Sequence, residues 1–263
     1  MRSALIGHTG FVGGNLLRKR RFDCLFNSTS IDAIRGQSFD LLVCAGARAE
    51  KWKANRDPTA DRAGIHRLID CLTSVNAGRA ILISTVDVFG SPIGVDESHP
   101  VDPAAATPYG QHRYELEQFF AARFDSLIVR LPALFGPGLK KNVIYDFLNR
   151  NNTEMIPSTG EFQFYDLTNL NGDLSIAERH GIRLLHCATE PISVADLALA
   201  AFGIEFHNFP PGIVPPRYDF RSRFAEQFGG SGGYLRRRDE VLKAVQQFVA
   251  DERARQRDRR QCA

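Results

Sequence analysis

The residues best suited to chemistry in this 263-residue sequence stand almost at its start. Gly7-His8-Thr9-Gly10-Phe11-Val12-Gly13 follows directly on an apolar run at 4–6 and opens a segment with Phe11, Val12, Leu16 and Leu17 at helical spacing. A chain that turns sharply on bare glycines brings its backbone close to a pyrophosphate and aims the first N–H groups of a helix at its charge. Gly7, Thr9, Gly10, Phe11, Val12 and Gly13 are therefore the first candidate contacts for a dinucleotide. Other chemistry has less to work with. The five cysteines, Cys24, Cys44, Cys71, Cys187 and Cys262, form no CxxC pair and no His/Cys metal spacing, so they read as reduced structural thiols and no metal site is expected.

The elements that must hold such a turn follow from periodicity. Apolar runs at 4–6, 24–26, 41–44, 80–83 and 127–130 read as strands, and segments 57–74 and 109–123 read as helices, with Ile65, Leu68, Ile69 and Leu72 on one face. Leu41-Leu42-Val43 and Ile81-Leu82-Ile83 are continuous, as strands buried on both faces are. Alternation of this kind predicts an α/β fold, a Rossmann-type doubly wound parallel sheet. Beyond Pro137 the pattern predicts helices at 142–149, 166–179 and 194–202, a polar turn at 149–153 and a strand at 183–186. A proline-rich loop at 208–217 and a flexible glycine joint at 229–233 precede a helix at about 238–254 and a frayed arginine-rich tail. The division expected is a dinucleotide-binding domain over 1–139, with strands returning to it from about 183–200. A small C-terminal substrate lobe with the last helix occupies 140–263.

Composition narrows the function classes. Apolar residues at 43% and charged residues at 24% suit a globular protein, and a net charge of +3, with the basic residues in short local runs, argues against a nucleic-acid partner. No apolar run approaches the roughly 20 residues needed to span a bilayer, and the start leaves no room for a signal peptide, so a cytoplasmic location without a membrane partner is expected.

The GxxGxxG spacing is similar to that of the short-chain dehydrogenase/reductase superfamily, and further segments resemble its extended branch of epimerases, dehydratases and sugar reductases. Cys44-Ala45-Gly46-Ala47 resembles the strand end near the adenosine, and Ser84-Thr85-Val86-Asp87-Val88-Phe89-Gly90 the hydroxyl-bearing strand end. Tyr109-Gly110-Gln111-His112-Arg113 falls where the family carries YxxxK, and Arg130-Leu131-Pro132-Ala133-Leu134-Phe135-Gly136-Pro137-Gly138 resembles its run beside the nicotinamide. Phe164-Tyr165-Asp166-Leu167 and 188–193 also have counterparts, so the likeness covers about residues 1–202 in order. It implies NAD or NADP as cofactor, with Ala45, Gly46, Ala47 and Pro132 joining the glycine turn as contacts. It also implies a carbohydrate substrate, most fittingly nucleotide-activated, and is compatible with a homodimer.

The resemblance gives Tyr109 the role of acid/base and Thr85 that of polarising the reacting oxygen. Free tyrosine titrates near 10, and a cation ~4–5 Å away at an effective dielectric of ~20 supplies roughly 3–4 kcal/mol, or two to three pKa units, towards phenolate. Arg113 stands at the family's lysine position. It keeps the charge and can donate to ribose and activate the tyrosine, but it cannot shuttle a proton. Gly64 stands where the family usually has an asparagine of a proton relay. The expectation is a working hydride-transfer site whose proton leaves by another route. The alternative is a sensor or scaffold that binds dinucleotide without turnover.

Thr85-Val86-Asp87 lacks the acid and base of the dehydratases, which leaves reduction or epimerisation; Asp87 reads either as an extra acid/base that meets substrate or as a strand-end cap. His66 and His112 read better as surface or packing residues than as proton carriers. Lys140, Lys141 and Asn142 suit an anionic substrate, with Arg217 and Arg221 as weaker candidates. Asn27-Ser28-Thr29-Ser30 falls where an NAD-selective site carries an acid. Asn27 and Ser28 are then ribose contacts. With no carboxylate there and Arg18, Lys19 and Arg35 nearby in sequence, the lean is to NADP.

Overall fold

In the computed structural model, residues 1–261 are described, with side chains to Arg259; Cys262 lies outside the described residues. The first half lays down β1 (Ser3–Ile6), α1 (Phe11–Leu17), β2 (Cys24–Phe26), β3 (Ser38–Cys44), α2 (Lys51–Arg56), α3 (Pro58–Leu72), β4 (Asn76–Thr85), α4 (Pro108–Arg123) and β5 (Ser126–Leu131). The second adds β6 (Ala133–Phe135), α5 (Val143–Asn149), β7 (Glu161–Phe162), β8 (Phe164–Asp166), α6 (Leu170–Arg179), β9 (Leu184–His186), β10 (Ile192–Ser193), α7 (Val194–Phe202) and α8 (Arg238–Gln261).

Six of these strands form one parallel sheet in the order β2-β1-β3-β4-β5-β9. Its apolar runs are buried on both faces, as their continuity requires. Leu42 and Leu82 face Ile65, Leu116 and Phe120 of α3 and α4, while Val43, Ile81 and Leu127 face Leu16, Leu170 and Leu174 on the other side. From β1 the chain runs outward to β2, then crosses back to β3 on the opposite side of β1. The crevice beyond the carboxyl ends of β1 and β3 is thus the topological switch point, where ligands of open α/β sheets bind. A third apolar cluster, including Phe135, Ile144, Phe164, Leu197 and Val245, packs α5, α7 and α8 with the short strands.

One helix was not anticipated, and three expectations are corrected. The segment before residue 57 holds α2, which has only Ala54 buried and so carries no apolar period to announce it. It ends where Asp57 accepts from the Ala60 N–H at 3.0 Å and Pro58 opens α3. The segment at 166–179 begins instead with β8, paired to β6, and its helix starts at Leu170. The glycine run at 229–233 is no free joint, because a Cβ on Gly230 would fall 2.0 Å from the Tyr234 carbonyl oxygen and the Leu235 N–H donates to the Ala188 carbonyl at 2.8 Å. The tail expected to fray after 254 continues as helix to Gln261.

Among the described residues no helix is long and apolar enough to cross a membrane, and no cluster of acids, histidines or cysteines could hold a metal. Cys24, Cys44, Cys71 and Cys187 are free thiols; burial pushes Cys44 up to about 12.

Candidate active site

The site begins with a close approach. A Cβ on Gly110 would fall 2.0 Å from the Asp87 carbonyl oxygen, so only glycine lets the first turn of α4 lie against the end of β4. That contact, with the Asn55 side chain of α2 accepting from the Tyr109 N–H at 3.1 Å, sets Tyr109 against Thr85. Tyr109 is buried. Burial pushes its phenol above its ordinary value; Arg113, Lys51 and the Thr85 hydroxyl pull it down, while Asp87 pushes it further up.

Thr85 caps the turn after β4, accepting from the Asp87 N–H at 3.1 Å, so the capping reading offered for Asp87 belongs to Thr85. The Asp87 carboxylate instead gathers three donors. Lys51 Nζ lies 2.7 Å and the Tyr218 hydroxyl 2.9 Å from Oδ1, and the Thr85 hydroxyl lies 3.3 Å from Oδ2. Burial pushes Tyr218 up to about 12, keeping it a hydroxyl donor near neutrality.

Arg113 is placed differently from the expectation. Its guanidinium lies 4.0 Å over the Tyr109 ring centroid and is buried, yet both terminal nitrogens donate to Asp61, and they reach the Arg48 and Tyr109 carbonyl oxygens as well. Its charge is therefore matched within the protein, and the donor left over is Nε, buried without a partner. Burial works against the Asp61 charge, but Arg113 and His112 outweigh it and hold the carboxyl below its usual range. His112 reaches the same carboxylate at 2.7 Å, so it is a buried partner of Asp61 and not a surface residue, although it neighbours Arg113 on the helix. The α3 residue that meets Arg113 is Asp61. Gly64 is exposed, with open space where a side chain would stand. His66 is exposed beside Glu115.

Behind Thr85 the sheet is fixed by a buried polar chain. Ser84 donates to Glu117 at 2.5 Å, Glu117 pairs with Arg130 at 2.6 Å, and Arg130 lies 3.3 Å from Nε2 of His186. Burial first, and Arg130 next, draw His186 down to about 3, so the ring is neutral, accepts from Arg130 and donates Nδ1–H to the Arg221 carbonyl at 3.0 Å.

The glycine turn fits a pyrophosphate. A Cβ on Gly7 would lie 2.2 Å from the Ala45 carbonyl oxygen, and one on Gly13 2.2 Å from that of Gly7, so bare glycines alone let the turn nest between β1 and the end of β3. Gly10 precedes α1 without a side-chain cap, which leaves the first-turn N–H groups, at Phe11, Val12 and Gly13, without intrahelical partners. Ala45, Gly46 and Ala47 follow β3 across the switch point, and Thr9 lies within the turn. The Asn27 side-chain oxygen accepts from Thr29 and Ser30 within its own turn, leaving its amide nitrogen and the exposed Ser28 for a ligand. Arg35 is held by Asp70 and Asp32; Arg18 and Lys19 are exposed at the end of α1. Pro132 lies between β5 and β6.

The expected anion site is only partly available. The Asn142 side chain caps α5, accepting from Ile144 and Tyr145 and donating to the Leu134 carbonyl, so it is structural. Lys141 donates to the Ala49 carbonyl, and burial lowers its pKa. Lys140 is exposed. Arg217 and Arg221 pair with Glu161 and Asp219. The residues that sequence reasoning missed are Lys51, Asp61 and Tyr218. Lys51 had one usable signal, its position just past the carboxyl end of a parallel strand; Tyr218 had none.

No protein-family model matches the chain, and no curated protein matches it by sequence. Solved structures match in fold. A dTDP-4-dehydrorhamnose reductase from Clostridium acetobutylicum superposes with a TM-score of 0.72 at 17% identity, over 96% of this chain and 100% of that one. RMD from Pseudomonas aeruginosa, complexed with NADPH, gives 0.69 at 17% identity over 96% and 100%. A UDP-glucose 4-epimerase from Thermotoga maritima, holding UDP-glucose, gives 0.70 at 16% identity over 97% and 99%. The fold is the one that the resemblance to the extended short-chain dehydrogenases/reductases implied.

Proposed function

We propose that the chain is an NAD(P)-dependent oxidoreductase, a reductase or epimerase acting on a nucleotide-linked carbohydrate, with Tyr109 as its acid/base. The observation that carries this reading is the Tyr109 phenol buried against Thr85 at the carboxyl end of β4, in a sheet whose switch point is lined by the glycine turn. Gly7, Thr9, Gly10, Phe11, Val12 and Gly13 would hold the pyrophosphate, Asn27 and Ser28 a ribose, Ala45, Gly46 and Ala47 the adenosine side, and Pro132 the nicotinamide side. Arg113 Nε is the donor left for a ribose hydroxyl. The dinucleotide, once bound, gives or takes the hydride.

The chain's own residues handle the oxygen. Thr85 hydrogen-bonds the substrate oxygen, and Tyr109 gives its proton to that oxygen as the carbonyl carbon becomes a carbinol. Burial raises the phenol above its ordinary value, so Tyr109 stands protonated as the donor that reduction requires. Asp87, with Lys51 and Tyr218, stands beside this pair as a further polar contact for substrate, and exposed Lys140 remains free to meet an anionic group. NADP is favoured over NAD because 27–30 carries no carboxylate to repel a 2′-phosphate. The same reading puts the enzyme in the cytoplasm, alone or as a homodimer.

One observation favours the other reading, a dinucleotide-binding sensor without turnover: Arg113 is matched by Asp61, so the phenol lacks an unpaired cation on its own helix. Fluorescence titration with NADPH and NADH tests both readings, and absence of binding below millimolar concentration ends both. Oxidation of NADPH with dTDP-4-dehydrorhamnose, or interconversion of UDP-glucose, separates them. Tyr109→Phe is expected to lose at least about a hundredfold in turnover with unchanged nucleotide affinity. A variant as active as the parent removes Tyr109 from the mechanism.

A further inference from the structure

Two cations act on the Tyr109 phenol, and each is paired with its own carboxylate. Arg113, from the phenol's own helix, is locked bidentate on Asp61. Lys51 comes from α2. Its Nζ is 2.7 Å from Asp87 Oδ1 and 3.2 Å from the Tyr218 hydroxyl, while Asp87 Oδ2 receives the Thr85 hydroxyl at 3.3 Å. Tyr218 is itself fixed by stacking on Phe162, 5.8 Å between centroids at 17°. Resting on the oxidoreductase reading above, the geometry points to Lys51 as a positioning cation of this site: with Tyr218 it holds and offsets the Asp87 carboxylate that receives the Thr85 hydroxyl beside Tyr109.

The groups facing the phenol are Arg113 from α4, Thr85 and Asp87 from the end of β4, and Lys51 from α2, with Tyr218 behind Asp87. Asp87 opposes ionisation of Tyr109 and Lys51 favours it, so the lysine offsets a carboxylate that would otherwise stand alone beside a phenol that must give up its proton. Burial works against the Lys51 charge, but Asp87 and Tyr218 outweigh it and raise its pKa. Lys51 therefore stays an ammonium throughout the working range. It acts through its field and through the geometry of Asp87, not by titrating, and it does not touch the reacting atoms.

The test reads the phenol directly and requires neither substrate nor cofactor. Ultraviolet titration of phenolate, each protein measured against its own Tyr109→Phe counterpart, isolates the Tyr109 midpoint. Asp87→Asn lowers that midpoint. Adding Lys51→Met in the Asp87→Asn background raises it again by about one pH unit, the effect of one partly screened charge several ångströms away at an effective dielectric of about 20. Adding Lys51→Arg leaves it within a few tenths of Asp87→Asn. A strut between α2 and β4 would lower thermal stability in the Lys51→Met proteins and leave the midpoints together; coincident midpoints overturn the assignment. Should the double variant fail to fold, Lys51→Met alone reads the same charge, with a midpoint above the parent's expected and an unchanged one overturning it. If nicotinamide nucleotides do not bind but the midpoints separate, the oxidoreductase reading fails and the electrostatic role stands; if they bind and the midpoints coincide, only the role of Lys51 fails.

Discussion

Asp61→Asn is the sharpest perturbation of this site. Asn keeps the size and one acceptor of the carboxyl but removes its charge, leaving the Arg113 guanidinium, 3% exposed, without a counterion. Removing one partner of a buried pair costs about 3–5 kcal/mol, which for a chain of this length is roughly 6 to 20 °C in Tm. The cost has a pH signature. The Asp61 carboxyl is held below its ordinary 3.8 in the fold, so its stabilising contribution is complete above that value and disappears as pH falls through the lower folded value. Parent and variant therefore differ by the same amount from neutrality down to about pH 4 and converge only as pH falls further, through the lower folded value. The penalty arises from the orphaned cation, so Asp61→Asn/Arg113→Met should recover most of the lost Tm. The single variant should also titrate Tyr109 lower than the double, because only it keeps an unmatched guanidinium over the ring. Thermal melts monitored by circular dichroism across pH, with the phenolate titration, measure all three effects. A Tm for Asp61→Asn within about 2 °C of the parent, or a double variant less stable than the single, would refute the reasoning.

Two glycines predict opposite signs for the same substitution. Gly64→Ala meets nothing in an exposed helical position and should stabilise by about 0.5–1 kcal/mol, whereas Gly110→Ala drives a Cβ to 2.0 Å from the Asp87 carbonyl oxygen and should destabilise by about 1–3 kcal/mol while displacing Tyr109 from Thr85. Denaturant melts of both variants check this, and a stabilised Gly110→Ala would contradict the close approach on which the site is built. His186, neutral in the fold with its pKa at about 3 against an ordinary 6.5, binds fewer protons folded than unfolded between those values, so stability should fall as pH drops through that window. His186→Gln should flatten that slope in a series of melts, and parallel slopes would show that the ring does not control it.

The sheet was legible because its strands are buried on both faces, and burial of that kind writes an uninterrupted apolar run such as Leu41-Leu42-Val43. Thr85, Tyr109 and the glycine turn were legible for a related reason: each lies at a fixed offset from an element the pattern already defines. What was missed lacks any local pattern. Helix α2 has almost no apolar face, so its periodicity is silent, and with it went Lys51. The partners of the charged groups are set by tertiary placement alone. Asp61 and Arg113 are 52 residues apart, Lys51 and Asp87 36, Asp87 and Tyr218 131. Asn142 is the instructive error, since an asparagine directly before a helix is first of all a cap, and the capping preference was there to be read.

An arginine at position 113, where the resemblance implied a lysine, has a physical consequence larger than the loss of a proton shuttle. A buried lysine can relieve the cost of burial by losing its proton; an arginine cannot, and its planar fork is satisfied best by a carboxylate. Arg113 therefore required an anion within the protein, and Asp61 provides it, with His112 on the same oxygen. That pair matches the guanidinium without silencing it: Arg113 still lowers the pKa of the phenol over which it lies. The phenol also stands near Asp87, which opposes its ionisation, and the cation that offsets this carboxylate, Lys51, belongs to α2. The two ion pairs, Arg113 with Asp61 and Lys51 with Asp87, are in this sense coupled through one phenol: each sets a cation with its carboxylate near Tyr109, and Lys51 offsets the carboxylate that opposes its ionisation.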